Sequence, residues 1–168
     1  MTGLRGGARI ALLLAAILQA GAALSVGAGD AAPVFVLPTA SGETVALDKL
    51  RGRLVYVDFW ASWCGPCRRS FPWMNEMQQK YGARGLTIVG INVDKRRPDA
   101  ERFLQQTPAI FSIVFDADGK TPEAYAVKGM PSSYLIDTAG NVVAVESGFR
   151  DEQKAGLEER IRALLPPR

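Results

Sequence analysis

The feature that most constrains this chain is the position of its two cysteines, Cys64 and Cys67. They lie between an apolar run at 54–60 and a segment with helical spacing that Pro66 opens. A run rich in valine and aromatic residues is typical of a strand buried on both faces. Proline is favoured in the first turn of a helix. The sequence therefore predicts a strand-to-helix junction with the cysteine pair inside it.

This junction favours redox chemistry over a structural role. As a cross-link, so short a loop would contribute only about 2 kcal/mol. Unpaired N–H groups and the dipole at a helix N-terminus stabilise a thiolate at Cys64, and the thiolate is the nucleophile in disulfide exchange. Cys67, one turn further in, would resolve the mixed disulfide, while Gly65 and Pro66 set the turn. An inert staple or half a metal site is the alternative.

Composition excludes several other chemistries. The chain has no histidine, which excludes a Ser-His-Asp triad, a Cys-His pair and imidazole metal ligands. Two cysteines do not complete a closed zinc site, so we expect no metal and no other cofactor. The formal net charge is +3, and the basic and acidic residues are mixed along the chain. This predicts no nucleic-acid partner.

The first thirty residues have the pattern of a secretory signal. Arg5 and Arg9 precede an apolar run at 10–23, and small residues follow. A cleaved signal peptide is favoured, an uncleaved membrane anchor through residues 10–26 is the main alternative, and a buried helix is the third. We expect residues 1–30 to direct export and residues 31–168 to form one domain in the periplasm or another extracytoplasmic compartment.

The remaining pattern alternates strands and helices without a repeat. Strands are predicted at 34–37, 44–47, 54–60, 86–93, 113–115, 133–136 and 142–145, and helices at 66–81, 99–106, 121–125 and 151–165. In the last helix, Leu157, Ile161 and Leu164 share one apolar face. The segment 116–119 resembles the start of a calcium loop but lacks its later ligands, so a turn is predicted.

The junction resembles a known superfamily. The segment 57–67 (VDFWASWCGPC) is similar to the active-site strand and helix start of thioredoxins, and Pro72 matches their helix-kinking proline. The segment 128–137 (KGMPSSYLID) resembles their second signature. The resemblance implies a thioredoxin fold, an α/β fold with a central mixed sheet flanked by helices. It also implies a cis Pro131 lying against the disulfide and a Met130 backbone that pairs with substrate.

Three features resemble the TlpA/ResA-like branch of exported thioredoxin-fold reductases. They are the export segment, the stretch 33–52, which would form an N-terminal β extension, and the pattern at 116–137. Members of this branch reduce disulfides outside the cytoplasm, often for cytochrome c maturation, and a membrane electron carrier recharges them. The implied partners are disulfide-containing exported proteins and a membrane electron donor.

Two positions differ from that branch. Asp58 stands where the branch often has asparagine; buried behind the cysteines, it could relay a proton to or from Cys67. The alternative for Asp58 is a strand-end carboxylate bonded to backbone. Lys95 stands where some cytochrome-maturation members have an acid, which favours general disulfide reduction over the specialised role.

We interpret Trp63 and Trp60 differently. Trp63 is expected to form a flat apolar surface for partners together with Gly65, Pro66, Met130 and Pro131. Trp60 is either core packing or a functional neighbour of the site.

The Gly-Pro pair between the cysteines resembles reducing members and predicts a protein-disulfide reductase. A disulfide-donating oxidase or isomerase is the alternative within this chemistry. A peroxiredoxin-like peroxidase is disfavoured because Ala61 occupies the place of its usual Thr or Ser. A non-catalytic partner-binding module is disfavoured because both cysteines and Pro131 are present.

Overall fold

The computed structural model describes residues 26–167. Its strands are β1 (Val36–Pro38), β2 (Thr44–Ala46), β3 (Leu54–Trp60), β4 (Leu86–Asn92), β5 (Ser112–Phe115), β6 (Ser132–Ile136) and β7 (Val142–Ser147). Its α-helices are α1 (Cys67–Tyr81), α2 (Arg97–Gln106), α3 (Lys120–Ala124) and α4 (Lys154–Leu164). The predicted strand at 54–60 is confirmed to the residue, whereas the first strand begins two residues later than predicted.

Five strands form the central sheet in the order β5-β4-β3-β6-β7. β3 lies in the middle, parallel to β4 and antiparallel to β6, so the sheet is mixed. β1 and β2 form a separate antiparallel hairpin, joined to the sheet by a bridge between Thr39 and Val114. These features confirm the predicted α/β fold with an N-terminal β extension.

The side chains of β3 alternate between two hydrophobic layers. Tyr56 and Trp60 pack into the layer that contains both cysteines and residues of α1, α2 and α4. Val57 and Phe59 pack into the opposite layer, which the N-terminal extension covers. Because successive side chains of a strand point to opposite faces, Asp58 lies on the same face as Tyr56 and Trp60. That is the face of the cysteines.

The chain joins the sheet close to the start of the described residues. The Gly29 N–H donates to the Val142 carbonyl and the Val142 N–H donates to the Asp30 carbonyl, each at 2.8 Å. Residues 1–25, which carry the predicted export signal or anchor, lie outside the described residues. Within residues 26–167, no helix is both long and apolar enough to cross a membrane.

The closing helix differs from the prediction at both ends. A 3₁₀ turn (Asp151–Gln153) precedes α4, and α4 ends at Leu164. The predicted inward position of Leu164 is wrong: it is 40% exposed, whereas Leu165 is only 7% exposed. The physical reason is Pro166, because the residue before a proline is pushed out of the helical region. Leu165 is extended (ψ 150°), and its side chain packs in the core.

A pair of alanine substitutions tests this ending. Leu165→Ala removes a buried side chain and leaves a cavity, so it should lower the free energy of unfolding by about 2–4 kcal/mol. Leu164→Ala removes a half-exposed side chain and should cost less than about 1 kcal/mol. Urea denaturation of the oxidised protein measures both values. Equal costs for the two variants would contradict this description.

Candidate active site

Cys64 and Cys67 form a disulfide between the end of β3 and the start of α1. The two sulfurs are 2.01 Å apart and the Cα atoms 5.4 Å apart. Cys64 is 3% exposed and Cys67 is fully buried. The Cys67 N–H donates to the Cys64 sulfur across 3.2 Å. The helix terminus therefore directs a backbone donor and the positive end of its dipole at Cys64, the residue predicted to attack.

Local backbone bonds shape the loop around the pair. The Cys64 N–H donates to the Ala61 carbonyl at 3.1 Å, and the Arg68 N–H donates to the Gly65 carbonyl at 3.2 Å. Pro66 has helical dihedral angles (φ −59°, ψ −29°) and precedes the first residue of α1. These contacts agree with the predicted turn at Gly65 and Pro66.

Asp94 braces this loop from the end of β4. Its carboxylate accepts the Ser62 N–H and the Ser62 hydroxyl, each at 2.8 Å. It also accepts an amide N–H of Asn92 at 2.8 Å, and Asp94 itself is buried. Sequence reasoning missed this role. The available signal is an acid just after β4, because the ends of parallel neighbours meet at one sheet edge.

Asp58 is fully buried and has a single hydrogen-bond partner among the described residues. Asp58 and Ser133 face each other in the β3–β6 register, and the Ser133 hydroxyl donates to Asp58 Oδ1 at 2.7 Å. Asp58 Oδ2 has no partner among residues 26–167. The bond is to a side chain, so the alternative of a backbone-bonded strand aspartate is not found.

Burial raises the pKa of Asp58 to about 7, and the hydrogen bond from Ser133 opposes that rise. Tyr56 lies on the same face, and burial followed by the nearby Asp58 charge raises the pKa of its hydroxyl. A charged carboxylate without full solvation is costly. Asp58 can therefore hold a proton at neutral pH in the layer that contains the cysteines. Sequence reasoning missed Ser133, whose only signal was a hydroxyl two residues after Pro131.

The Met130–Pro131 peptide bond is cis, as the resemblance predicts. Pro131 comes just before β6, and its carbonyl accepts the Gly148 N–H at 2.8 Å. Met130 is half-buried and packs against the cluster that includes both cysteines. Met130, in the loop before β6, thus packs in the same hydrophobic layer as the disulfide.

The two tryptophans near the pair have different environments. Trp60 is fully buried, and its ring centroid lies 5.0 Å from that of Phe71 and 4.9 Å from that of Phe103. Trp63 is 71% exposed. The core-packing interpretation of Trp60 is therefore confirmed, and Trp63 leaves an aromatic surface open beside Cys64.

The cysteine pair lies at the start of α1, directly after the central strand of a five-stranded mixed sheet, and a cis proline precedes β6. These features together define the dithiol/disulfide proteins of the thioredoxin fold. A model of the Redoxin family matches residues 27–161. The chain belongs to this family.

Known proteins narrow the class further. The chain is 34% identical to thiol-disulfide oxidoreductase ResA of Bacillus subtilis over 128 residues, which cover 76% of this chain and 72% of that protein. It is 33% identical to ResA of Geobacillus kaustophilus over 142 residues, 84% of this chain and 80% of that protein. Together with the disulfide, this similarity shows a TlpA/ResA-like thiol–disulfide oxidoreductase.

A solved structure supports the same assignment. A crystal structure from Chlorobium tepidum, assigned as the thiol:disulfide interchange protein DsbE, has a TM-score of 0.81 and 52% identity. The match covers 83% of this chain and 99% of that one.

Replacing Asp58 should change how stability depends on pH. The pKa of Asp58 rises from 3.8 to about 7 on folding, so between these values the folded state retains a proton that the unfolded state has lost. Stability therefore falls as pH rises through this window. Asp58→Asn should raise the free energy of unfolding of the oxidised protein by about 2–4 kcal/mol at pH 8, and the gain should shrink towards pH 4.

Two further variants control this measurement. Asp118→Asn changes an exposed aspartate and should leave the pH dependence as it is in the unmodified protein. Ser133→Ala removes the hydrogen bond that lowers the Asp58 pKa, so the decline in stability should still begin near pH 4 but continue to a higher pH than in the unmodified protein. If Asp58→Asn and the unmodified protein are equally stable at pH 8, the buried acid does not have the raised pKa.

Proposed function

We propose that this protein reduces disulfides of exported proteins outside the cytoplasm by cycling Cys64 and Cys67 between dithiol and disulfide. The observation that carries the proposal is the placement of the Cys64 sulfur at the N-terminus of α1, where it accepts the Cys67 N–H. A thiolate is the attacking species in disulfide exchange, and this placement lowers the free energy of a thiolate on Cys64.

Cys64 performs the first step. Its thiolate attacks one sulfur of the substrate disulfide, and a new bond joins Cys64 to that sulfur. The substrate's other sulfur leaves as a thiolate and takes a proton from solvent. Cys64 is the more exposed of the pair, which supports this order of attack.

Cys67 performs the second step with Asp58 as proton acceptor. The Cys67 thiol passes its proton to Asp58, and the resulting thiolate attacks the Cys64 sulfur. The second substrate sulfur leaves as a thiolate and takes a proton from solvent, and Asp58 then returns the Cys67 proton to solvent. The substrate has then gained two electrons and two protons, and the Cys64–Cys67 disulfide is restored. A buried carboxylate with a pKa of about 7 suits a proton acceptor at neutral pH.

The surface around the disulfide would hold the substrate chain. Trp63 and Gly65 are exposed and Pro66 is half-buried, so an apolar substrate segment could lie across them. The Met130 backbone would pair with an extended substrate segment before Pro131, in the manner of an added strand. An exposed aromatic plane beside the nucleophile supports this arrangement.

Recharging requires a dithiol donor, for which we propose a membrane electron carrier. Residues 1–30 would export the protein, as a cleaved signal or as an anchor through residues 10–26. Lys95, which replaces the acid of some cytochrome-maturation members, donates to the Ala117 carbonyl at 2.6 Å. The replacement of that acid by a lysine supports general disulfide reduction over a role dedicated to cytochrome c maturation.

Single cysteine variants test the order of attack. Cys67→Ser should accumulate mixed disulfides with partner proteins through Cys64, because the resolving thiol is gone. Cys64→Ser should trap few, since Cys67 is fully buried. Non-reducing electrophoresis after acid quenching measures both, with the double serine variant as the blank. Equal trapping by the two single variants would contradict the assigned roles.

The reduction potential tests the direction of transfer. Equilibration of the purified protein with glutathione or dithiothreitol should give roughly −270 mV, the value of a reducing dithiol. A value of roughly −120 mV is that of a disulfide donor and would overturn the reductase assignment.

A further inference from the structure

A groove of about 200 Å³ opens beside the cysteine pair. We name it the arginine groove; it is lined by Trp63 from the loop before Cys64, Arg68 from α1, and Asp99, Arg102, Phe103 and Gln106 from α2. Trp63 directly precedes Cys64 and Arg68 directly follows Cys67. Any chain that brings a disulfide to Cys64 therefore passes close to this groove.

Arg68 is held in place by uncharged partners. Its guanidinium carbon lies 4.7 Å from the centroid of the Phe103 ring, and its Nη1 donates to Gln106 Oε1 at 3.2 Å. Phe103 is buried and packs on Phe71 and Trp60, so the stacking surface is rigid. Among residues 26–167, no carboxylate forms a salt bridge with Arg68. Its position is thus defined while its charge is not neutralised.

Asp99 is the only acid that lines the groove within the described part of the chain, and two arginines share it. Arg102 Nη1 lies 3.3 Å from Asp99 Oδ1, and Arg96 Nε lies 3.8 Å from Asp99 Oδ2. Both arginine side chains are exposed. The groove therefore keeps an excess of positive charge beside the nucleophile.

The exposed face of Trp63 completes the surface. An arginine offers paired donors that match the two oxygens of a carboxylate, and an aromatic plane covers the apolar stem of the same side chain. The combination fits a glutamate or aspartate better than it fits a basic or purely apolar side chain.

We propose that the arginine groove binds an acidic side chain in the segment that flanks the substrate's disulfide. The protein would then prefer exported proteins with Asp or Glu within a few residues of the reactive cysteine. This inference rests on the proposed function and adds a substrate preference to it.

Three synthetic peptides provide the test. Each contains one internal disulfide, and they differ only in having Glu, Gln or Lys at two positions next to the reactive cysteine. Stopped-flow tryptophan fluorescence follows oxidation of the reduced full chain at pH 7 and low ionic strength. Because flanking charges also change peptide reactivity, each rate constant is divided by that for dithiothreitol with the same peptide.

The normalised rate should be about one and a half to five times higher for the Glu peptide than for the Lys peptide, the range for exposed ion pairs. The ratio of the normalised Glu-peptide rate to the normalised Lys-peptide rate should fall at high salt, because salt screens exposed charges. Arg68→Gln combined with Arg102→Gln should bring the ratio close to one. Asp99→Asn should raise it, because the competing carboxylate is removed.

This ratio distinguishes an effect of the arginine groove on substrate preference from an effect on the reactivity of the cysteines. Arg68→Gln can alter the reactivity of the adjacent dithiol, but that change affects all three peptides equally. Arg162→Gln is the matched control, because Arg162 pairs with Glu159 at the end of α4 and should leave the ratio unchanged.

Two results would overturn the inference: equal normalised rates for the three peptides, or an unchanged ratio in the double variant. If none of the peptides is reduced, the proposed reductase function itself fails.

Discussion

The hydrogen bond from the Cys67 N–H to the Cys64 sulfur is the interaction around which this structure is arranged. It requires a helix that starts at Cys67 and a chain that reaches this point directly from the sheet. β3 meets the second requirement because it is buried along its whole length and paired on both sides. A fixed strand end and a fixed helix start place one sulfur at the helix terminus.

The burial of Asp58 at the active site lowers the stability of the fold when the carboxyl group is charged. A carboxylate in an apolar layer with one oxygen unpaired is unfavourable when charged, and burial raises its pKa accordingly. The single hydroxyl of Ser133 offsets only part of that cost. The same environment lets the group change protonation near neutral pH, so the local instability and the proposed proton transfer have one physical origin.

In the proposed function, the two sides of the disulfide supply different kinds of contact to the substrate. On one side, the Met130–Pro131 loop would offer backbone groups that do not depend on the substrate's side chains. On the other side, Arg68 and Trp63 offer a charge and an aromatic plane that do. General reactivity and a preference among substrates can therefore come from separate parts of the surface.

The sequence by itself determined the strand-to-helix junction, the cysteine pair within it, the thioredoxin-like order of elements and the cis proline that the family resemblance implies. Apolar runs, helical spacing and proline positions are local signals, and local signals are readable along a chain. Only the tertiary structure decided that Ser133 meets Asp58, that Asp94 holds Ser62 and that Arg68 stacks on Phe103. These pairs depend on strand register and helix packing between distant segments, which no local pattern encodes. Leu164 and Leu165 have a different, local reason: helical spacing predicted their face, but Pro166 ends the helix and turns Leu165 into the core instead.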